Sequence, residues 1–310
     1  GTREQEFAIR VGGGTYEEIL AAGRGINTTT RLTRAASPDE LVAQAAGYLD
    51  RMLCHGTTTV EAKSGYGLDV ESELKLLRVA RKLDAGHPME IVSTFLGAHL
   101  VPAEYRDAPD DYVALITDEM LPAVMAEGLA EYCDVWCDEG IFTVAQSERI
   151  LRAARDAGLK LRLHANQLGA GEGTRLAVAW GATSVDHLER LPRDDIPRLA
   201  RSETIAVLVP GVAYTVGGPH AAARALVDAG AAVALATDFN PGSCFTESMP
   251  MILSLACTQL GMSPAEALVA ATFNAACALD RGTRLGSLEP GKQADLVLWH
   301  VPAYEHLPYH

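Results

Sequence analysis

No stretch of this 310-residue chain reaches the roughly 18 consecutive apolar residues a membrane-spanning helix needs, and residues 1–20 lack a basic region followed by an apolar one. A bilayer is therefore not an expected partner, and no export signal is expected. Positive charge is scarce too. With 26 Lys and Arg against 40 Asp and Glu, the net charge is -14, which lacks the basic patches needed to displace counterions from a phosphate backbone; nucleic acid is not expected as a partner either. The six cysteines, Cys54, Cys133, Cys137, Cys244, Cys257 and Cys277, stand in apolar or helical stretches without the repeated short spacings of a zinc knuckle or a disulfide scaffold. A cytoplasmic location is the expectation. Low-complexity tracts and flexible linkers are missing as well, so no second independently folding domain is expected. The chain opens on Gly1-Thr2-Arg3-Glu4 rather than on methionine and runs straight into folded-looking sequence, so a segment upstream of Gly1 is expected.

What is present is an ordinary globular balance, 48% hydrophobic and 21% charged, long enough for one large barrel. Its dominant rhythm is a short β-branched apolar run, a polar residue at the C-terminal end, then an amphipathic stretch with helix-start signals. Strands are expected at Thr57–Lys63, Glu90–His99, Asp134–Phe142, Lys160–Asn166, Thr183–Leu188, Ile205–Pro210 and Ala232–Asp238. Helical patterns fall between them, among them Ser37–Met52, Val70–Leu83, Val144–Ala157 and Ala221–Ala229. Alternating strands and helices imply parallel pairing with right-handed crossovers. The fold expected is thus α/β, a (β/α)8 TIM-like barrel over residues 1–284 whose first strand is absent. Residues 285–310 differ: Leu285 to Trp299 reads as two short strands around Pro290-Gly291, a pair too small to stand alone and hence part of a β-sandwich completed by N-terminal strands.

In such a barrel the reactive groups project from the C-terminal ends of the strands. Those ends carry Lys63 and Tyr66, His99, Asp138 and Glu139, His164, His187, and Asp238. A single strand histidine is usually a satisfied core or surface group. One titratable group at nearly every strand end is a different matter, since clustered ionisable side chains on one barrel face mark a site. Two histidines and an aspartate on late strands make a nitrogen and oxygen donor set for zinc or iron.

Several strings make the pattern specific. Leu163-His164-Ala165-Asn166-Gln167, Ser184-Val185-Asp186-His187-Leu188 and Ala236-Thr237-Asp238-Phe239-Asn240-Pro241-Gly242-Ser243 look like strands five, six and eight of the amidohydrolase superfamily. Together with Lys63-Ser64-Gly65-Tyr66-Gly67-Leu68 and Gly97-Ala98-His99, they resemble the imidazolonepropionases within it. The resemblance runs from Gly1 to His310 and implies hydrolysis of the cyclic amide of 4-imidazolone-5-propanoate to N-formimidoyl-L-glutamate in histidine degradation. It also implies one zinc or iron ion per chain and a homodimer.

By that resemblance the metal is held by a His-x-His pair on the first strand, expected upstream of Gly1, with His164 and Asp238 as the remaining ligands. Asp238 is expected to take the proton of the attacking water. His187 is expected to bond the water or the oxyanion and pass a proton to the leaving nitrogen. Arg3 is expected to grip the propanoate carboxylate, where a planar fork of donors binds bidentately. Tyr66 and His99 match positions that hydrogen-bond the substrate, and Asn240, Gly242 and Ser243 match positions lining the pocket. Gln167 stands where many members carry glutamate; it keeps the hydrogen-bonding reach but cannot serve as a base, so it is expected only to bind substrate. Glu61 and Lys63 are expected in a salt bridge rather than as a carbamylated metal site. Two other readings stay open: a related ring hydrolase or aminohydrolase, and an inactive barrel lacking the His-x-His ligands.

Overall fold

The computed structural model describes residues 2–13 and 25–309; Gly1 and His310, the outermost residues of the family resemblance, lie outside them. Seven parallel strands form one sheet in strictly sequential order: β1 (Thr59–Lys63), β2 (Glu90–Ala98), β3 (Tyr132–Cys137), β4 (Lys160–Ala165), β5 (Ser184–His187), β6 (Ile205–Leu208) and β7 (Val233–Leu235). Each strand pairs with the next, so the sheet sweeps as an arc of barrel with β1 and β7 at its edges. Every expected strand is present. The largest shift is in β3, which begins two residues before Asp134 and stops at Cys137, because Ile141 N–H turns back onto Asp138 O at 3.1 Å and Gly140 takes a positive φ of 78°.

The crossovers start where the sequence places good caps. Ser37 and Glu40 form a reciprocal capping box at the head of Pro38–Cys54, Thr143 and Gln146 do the same for Val144–Asp156, and Asp69 caps Val70–Gly86 through Ser72 N–H. Side chains alternate across each strand. Val135, Leu163 and Val185 point outward and are buried with Ile150, Leu151 and Ala177 of the surrounding helices, each large side chain contributing about 1.5–3 kcal/mol. The opposite set, including Glu61, Lys63, Asp134, Arg162, His164, Ser184 and Asp186, is polar and points into the arc, which is where the chemistry gathers.

The C-terminal segment corrects one expectation. Residues 285–299 contain the turn but no strand: Lys292 N–H reaches Glu289 O at 3.2 Å across Pro290-Gly291, with Gly291 at φ 91°, yet no ladder extends from it. The cause is want of a partner strand among the described residues. Leu288 and Leu298 remain 79% and 96% exposed, and an apolar ribbon without a neighbouring strand or sheet to cover it does not hold β geometry. One end is anchored: Trp299 packs so closely on Gly56 that a Cβ there would meet its ring at 2.9 Å.

Candidate active site

The side chains expected at the strand ends do gather at the C-terminal mouth of the arc. His164 is the penultimate residue of β4, His187 the last of β5, and Asp238 follows β7 by three residues. The rings of His164 and His187 lie 5.2 Å apart, and those of His99 and His164 lie 6.4 Å apart. At these ends the backbone breaks sharply from the strand direction, with Asn166, His187 and Asp238 at φ 54°, 84° and 48°. Left-handed geometry at non-glycine residues costs about 1–3 kcal/mol apiece and is tolerated where the surroundings enforce it.

His164 is held by its far side. Its Nδ1 lies 3.0 Å from Asp134 Oδ1, so this nitrogen donates its hydrogen to the carboxylate and Nε2 is turned away from it. Asp134 Oδ2 in turn sits 2.6 Å from Lys63 Nζ, which also reaches Glu61 at 2.8 Å and Asp186 at 3.2 Å. Asp134, His164 and Asp186 bring their ligand atoms within 4.8 Å of one another, the spacing of a cation site. The Lys63 ammonium already supplies the cation for both aspartates. Burial opposes its charge, but Asp134, Glu61 and Asp186 outweigh that and hold its pKa above the usual lysine range, so the amine is not available for carbamylation. Burial likewise resists ionisation of Asp134, and the facing His164 and Lys63 overcome it, leaving the carboxyl far below the ordinary aspartate range. Glu61 and Lys63 therefore form the salt bridge expected of them.

Asp238 is partly buried at the mouth of the arc. Burial raises its pKa, while His187, His164 and Lys63, gathered beside it, pull the other way. The turn after it is built by Asn240: its carbonyl oxygen accepts the N–H groups of Gly242 and Ser243 at 2.8 and 2.9 Å, and its amide donates to Asp238 Oδ2 at 3.1 Å. Asp238 is thus spared the work of making the turn. His187 Nδ1 faces Glu189 at 3.4 Å. Burial disfavours the imidazolium, but Glu189, Asp238 and Asp186 raise its pKa to about 9.

Arg3 lies against the same turn, so close that a Cβ on Gly242 would meet its Nη1 at 2.8 Å. Its Nε and Nη2 are both 2.7 Å from Glu6 Oε2, and Glu6 is fixed by Gly25 N–H at 2.9 Å. On the other flank, the Tyr66 ring meets His99 edge-on, 5.1 Å between centroids. Burial and the charge of Asp238 raise the Tyr66 pKa against the pull of Arg3, so its hydroxyl keeps its proton. His99 Nδ1 is 2.8 Å from the carbonyl oxygen of Gly65, which can only accept; Nδ1 carries the hydrogen and Nε2 is an acceptor. Burial and the neighbouring His164 lower its pKa to about 4.

Not every strand-end group belongs to this cluster. Asp138 accepts the N–H groups of Gln167, Leu168 and Gly169 at 2.7, 2.8 and 3.1 Å, which makes it the anchor of the loop after β4 and places the Gln167 backbone by that means. Sequence reasoning passed over Asp134, Glu189 and Trp136, whose ring lies 5.5 Å from His99 and 6.5 Å from His164. The available signal was the alternation Asp134-Val135-Trp136 in an otherwise apolar strand, which turns the aspartate and the indole to the polar face.

The sequence matches the amidohydrolase family over residues 8–308. It is 52% identical to the imidazolonepropionase of Geobacillus sp. (strain WCH70) over 310 residues, which is all of this chain and 73% of that one. The imidazolonepropionase of Haloarcula marismortui is 49% identical over 309 residues, again all of this chain and 73% of the relative. The chain belongs to the imidazolonepropionase family. Among solved structures, a zinc-bound adenosine deaminase from Xanthomonas campestris matches with a TM-score of 0.62 at 20% identity, covering 89% of this chain and 67% of the other. A triazine hydrolase variant matches with a TM-score of 0.65 at 20% identity, covering 83% and 63%. These share the fold.

Proposed function

We propose that this chain carries the imidazolonepropionase reaction, hydrolysis of the ring carbon–nitrogen bond of 4-imidazolone-5-propanoate to N-formimidoyl-L-glutamate in histidine degradation. The observation that carries the reading is the grouping of His164, His187 and Lys63 beside one carboxylate, Asp238, in a chain related to imidazolonepropionases over its whole length. A resonance-stabilised amide resists water, so the site must activate the nucleophile and receive the oxyanion.

One observation supports a divalent ion here: His164 presents Nε2 because Nδ1 is committed to Asp134. His164 and Asp238 would hold one zinc or iron ion per chain, with a His-x-His pair completing the set; no His-x-His string occurs in these 310 residues. When bound, such an ion polarises the carbonyl and makes water more acidic. Asp238 then accepts the proton as the water oxygen bonds to the ring carbon, the carbon–nitrogen bond breaks, and His187 delivers a proton to the departing nitrogen. Arg3 binds the propanoate carboxylate through the Nη1 edge that Glu6 leaves open, and Asn240, Gly242 and Ser243 shape the wall beside it. Tyr66 donates its hydroxyl to substrate, His99 accepts a ring N–H at Nε2, and Gln167 orients the ring. The same reading includes a cytoplasmic homodimer and a small β-sandwich to which residues 285–310 contribute.

The test is a chain extended upstream by the segment that carries His-x-His. One metal per chain by elemental analysis and turnover of imidazolone propanoate are expected. A protein that holds metal, leaves this substrate untouched and deaminates a nucleobase would move the chain to the aminohydrolase reading.

A further inference from the structure

The loop between β1 and the helix Val70–Gly86 is held from inside by a single acid. Glu73, fully buried, receives the N–H groups of Gly67 and Leu68 on Oε1 at 2.7 and 2.9 Å and that of Gly65 on Oε2 at 2.8 Å. The Ser64 hydroxyl also donates to this carboxylate, while its oxygen accepts Leu96 N–H of β2 at 2.9 Å. The loop carbonyls are taken from the opposite side by Arg34, whose guanidinium reaches Gly67 O at 2.6 Å and Leu68 O at 3.3 Å. An otherwise unsatisfied buried loop is thus clamped by one charge of each sign, amides on Glu73 and carbonyls on Arg34.

The clamp leaves no slack. Gly65 stands at φ 96° with room for no Cβ, which would meet Leu96 O at 2.8 Å, and Leu68 is a leucine held at φ 58°. The segment so fixed carries Tyr66 between Gly65 and Gly67, and its Gly65 carbonyl is the group that fixes the His99 tautomer. Glu73 itself is remote in role from the reacting groups: its polar atoms are spent on the loop.

We propose that Glu73 is a positioning residue that sets Tyr66 and the acceptor nitrogen of His99 in place for the substrate ring. The inference rests on the reaction proposed above for its kinetic readout, and on geometry alone for a spectroscopic one. Glutamine at this position offers one acceptor oxygen in place of two, and its NH2 group faces amide hydrogens.

The experiment compares the full-length enzyme with its Glu73→Gln, Tyr66→Phe and doubly substituted forms on imidazolone propanoate, and reads the His99 tautomer by 15N chemical shifts. Glu73→Gln is expected to lower kcat/KM about tenfold or more. In the Tyr66→Phe background its effect should shrink to about threefold or less, because the part that acts through Tyr66 is already lost and only the part through His99 remains. The His99 signals should shift from a pure Nδ1–H pattern toward a mixture. Equal losses in both backgrounds with an unchanged His99 pattern would reduce Glu73 to a folding element and overturn the proposal. If Glu73→Gln is insoluble, Ser64→Ala, which removes one donor and keeps the charge, is read the same way, and wild-type-like kinetics and 15N shifts there would likewise overturn it. Absence of turnover by the unsubstituted enzyme would count against the reaction, while the tautomer readout would still judge Glu73.

Discussion

His164 and Asp134 meet across the seam between β3 and β4, Nδ1 to Oδ1 at 3.0 Å, and the aspartate is braced from behind by Lys63 at 2.6 Å. The carboxylate fixes the rotation of the His164 ring and keeps the hydrogen on Nδ1, so that Nε2 is the nitrogen turned away from it.

Asp134→Asn keeps the shape and one acceptor oxygen but removes the charge. In the full-length enzyme, metal affinity measured by competition with a chromogenic chelator should fall by about 10- to 100-fold. Unchanged affinity would leave Asp134 as a partner of Lys63 only.

The contact also shows where sequence reading stops. The strands were legible because each is a short apolar run closed by a helix-cap signal, and the groups ending them, His164, His187 and Asp238, stand at the positions where a barrel presents its chemistry. Asp134, Glu189 and Glu73 act through neighbours 30, 2 and 8 or fewer residues away, His164, His187 and Gly65, and the alternation around Asp134 announces a polar face without naming the partner it meets. Asp138 misled for the same reason: position at a strand end does not tell a site group from a loop anchor. The strand pair expected in 285–299 failed because a turn signal specifies the turn, while the ladder depends on what lies beside it.

Lys63 balances Glu61, Asp134 and Asp186 in the interior of the arc. Lys63→Met would fill similar volume and remove the ammonium shared by the three carboxylates, leaving Glu61 with Arg162 at 3.1 Å and Asp134 with His164 at 3.0 Å, a change that typically costs about 3–5 kcal/mol when a buried partner is removed. Urea unfolding followed by circular dichroism should show that loss as a lowered midpoint. A midpoint equal to that of the unsubstituted chain would mean the charges are solvated rather than paired.

Glu90, the first residue of β2, ties the stretch just before residue 285 to the sheet through Arg281 Nε at 2.9 Å and Arg284 Nη2 at 2.7 Å. Burial works against its charge, but the two arginines lower its pKa below the ordinary 4.5. A depressed folded-state pKa gives stability that is fully present above the unfolded value and is lost as pH falls through the folded one. Stability of the unsubstituted chain should therefore drop more steeply below about pH 4.5 than that of Glu90→Gln, whose neutral side chain adds no such slope. Parallel stability–pH curves for the two proteins would remove Glu90 from the acid response.

Asp238→Asn is the sharpest test of the proposed chemistry because the fold should hardly register it. Asparagine tolerates the left-handed φ of 48° as well as aspartate does, and its carbonyl oxygen can still accept the Asn240 amide that now lies 3.1 Å from Oδ2. What it cannot do is take a proton from water or offer a full negative charge to a cation. Turnover of imidazolone propanoate by the full-length enzyme should fall by at least about a hundredfold, the lower range for loss of a general base. Thermal unfolding of the same variant, followed without metal so that lost binding does not enter, should match the unsubstituted protein closely. Wild-type-like turnover would take the base role away from Asp238, whereas a collapsed melting profile would mean that its grouping with His164, His187 and Lys63 serves the fold before it serves the reaction.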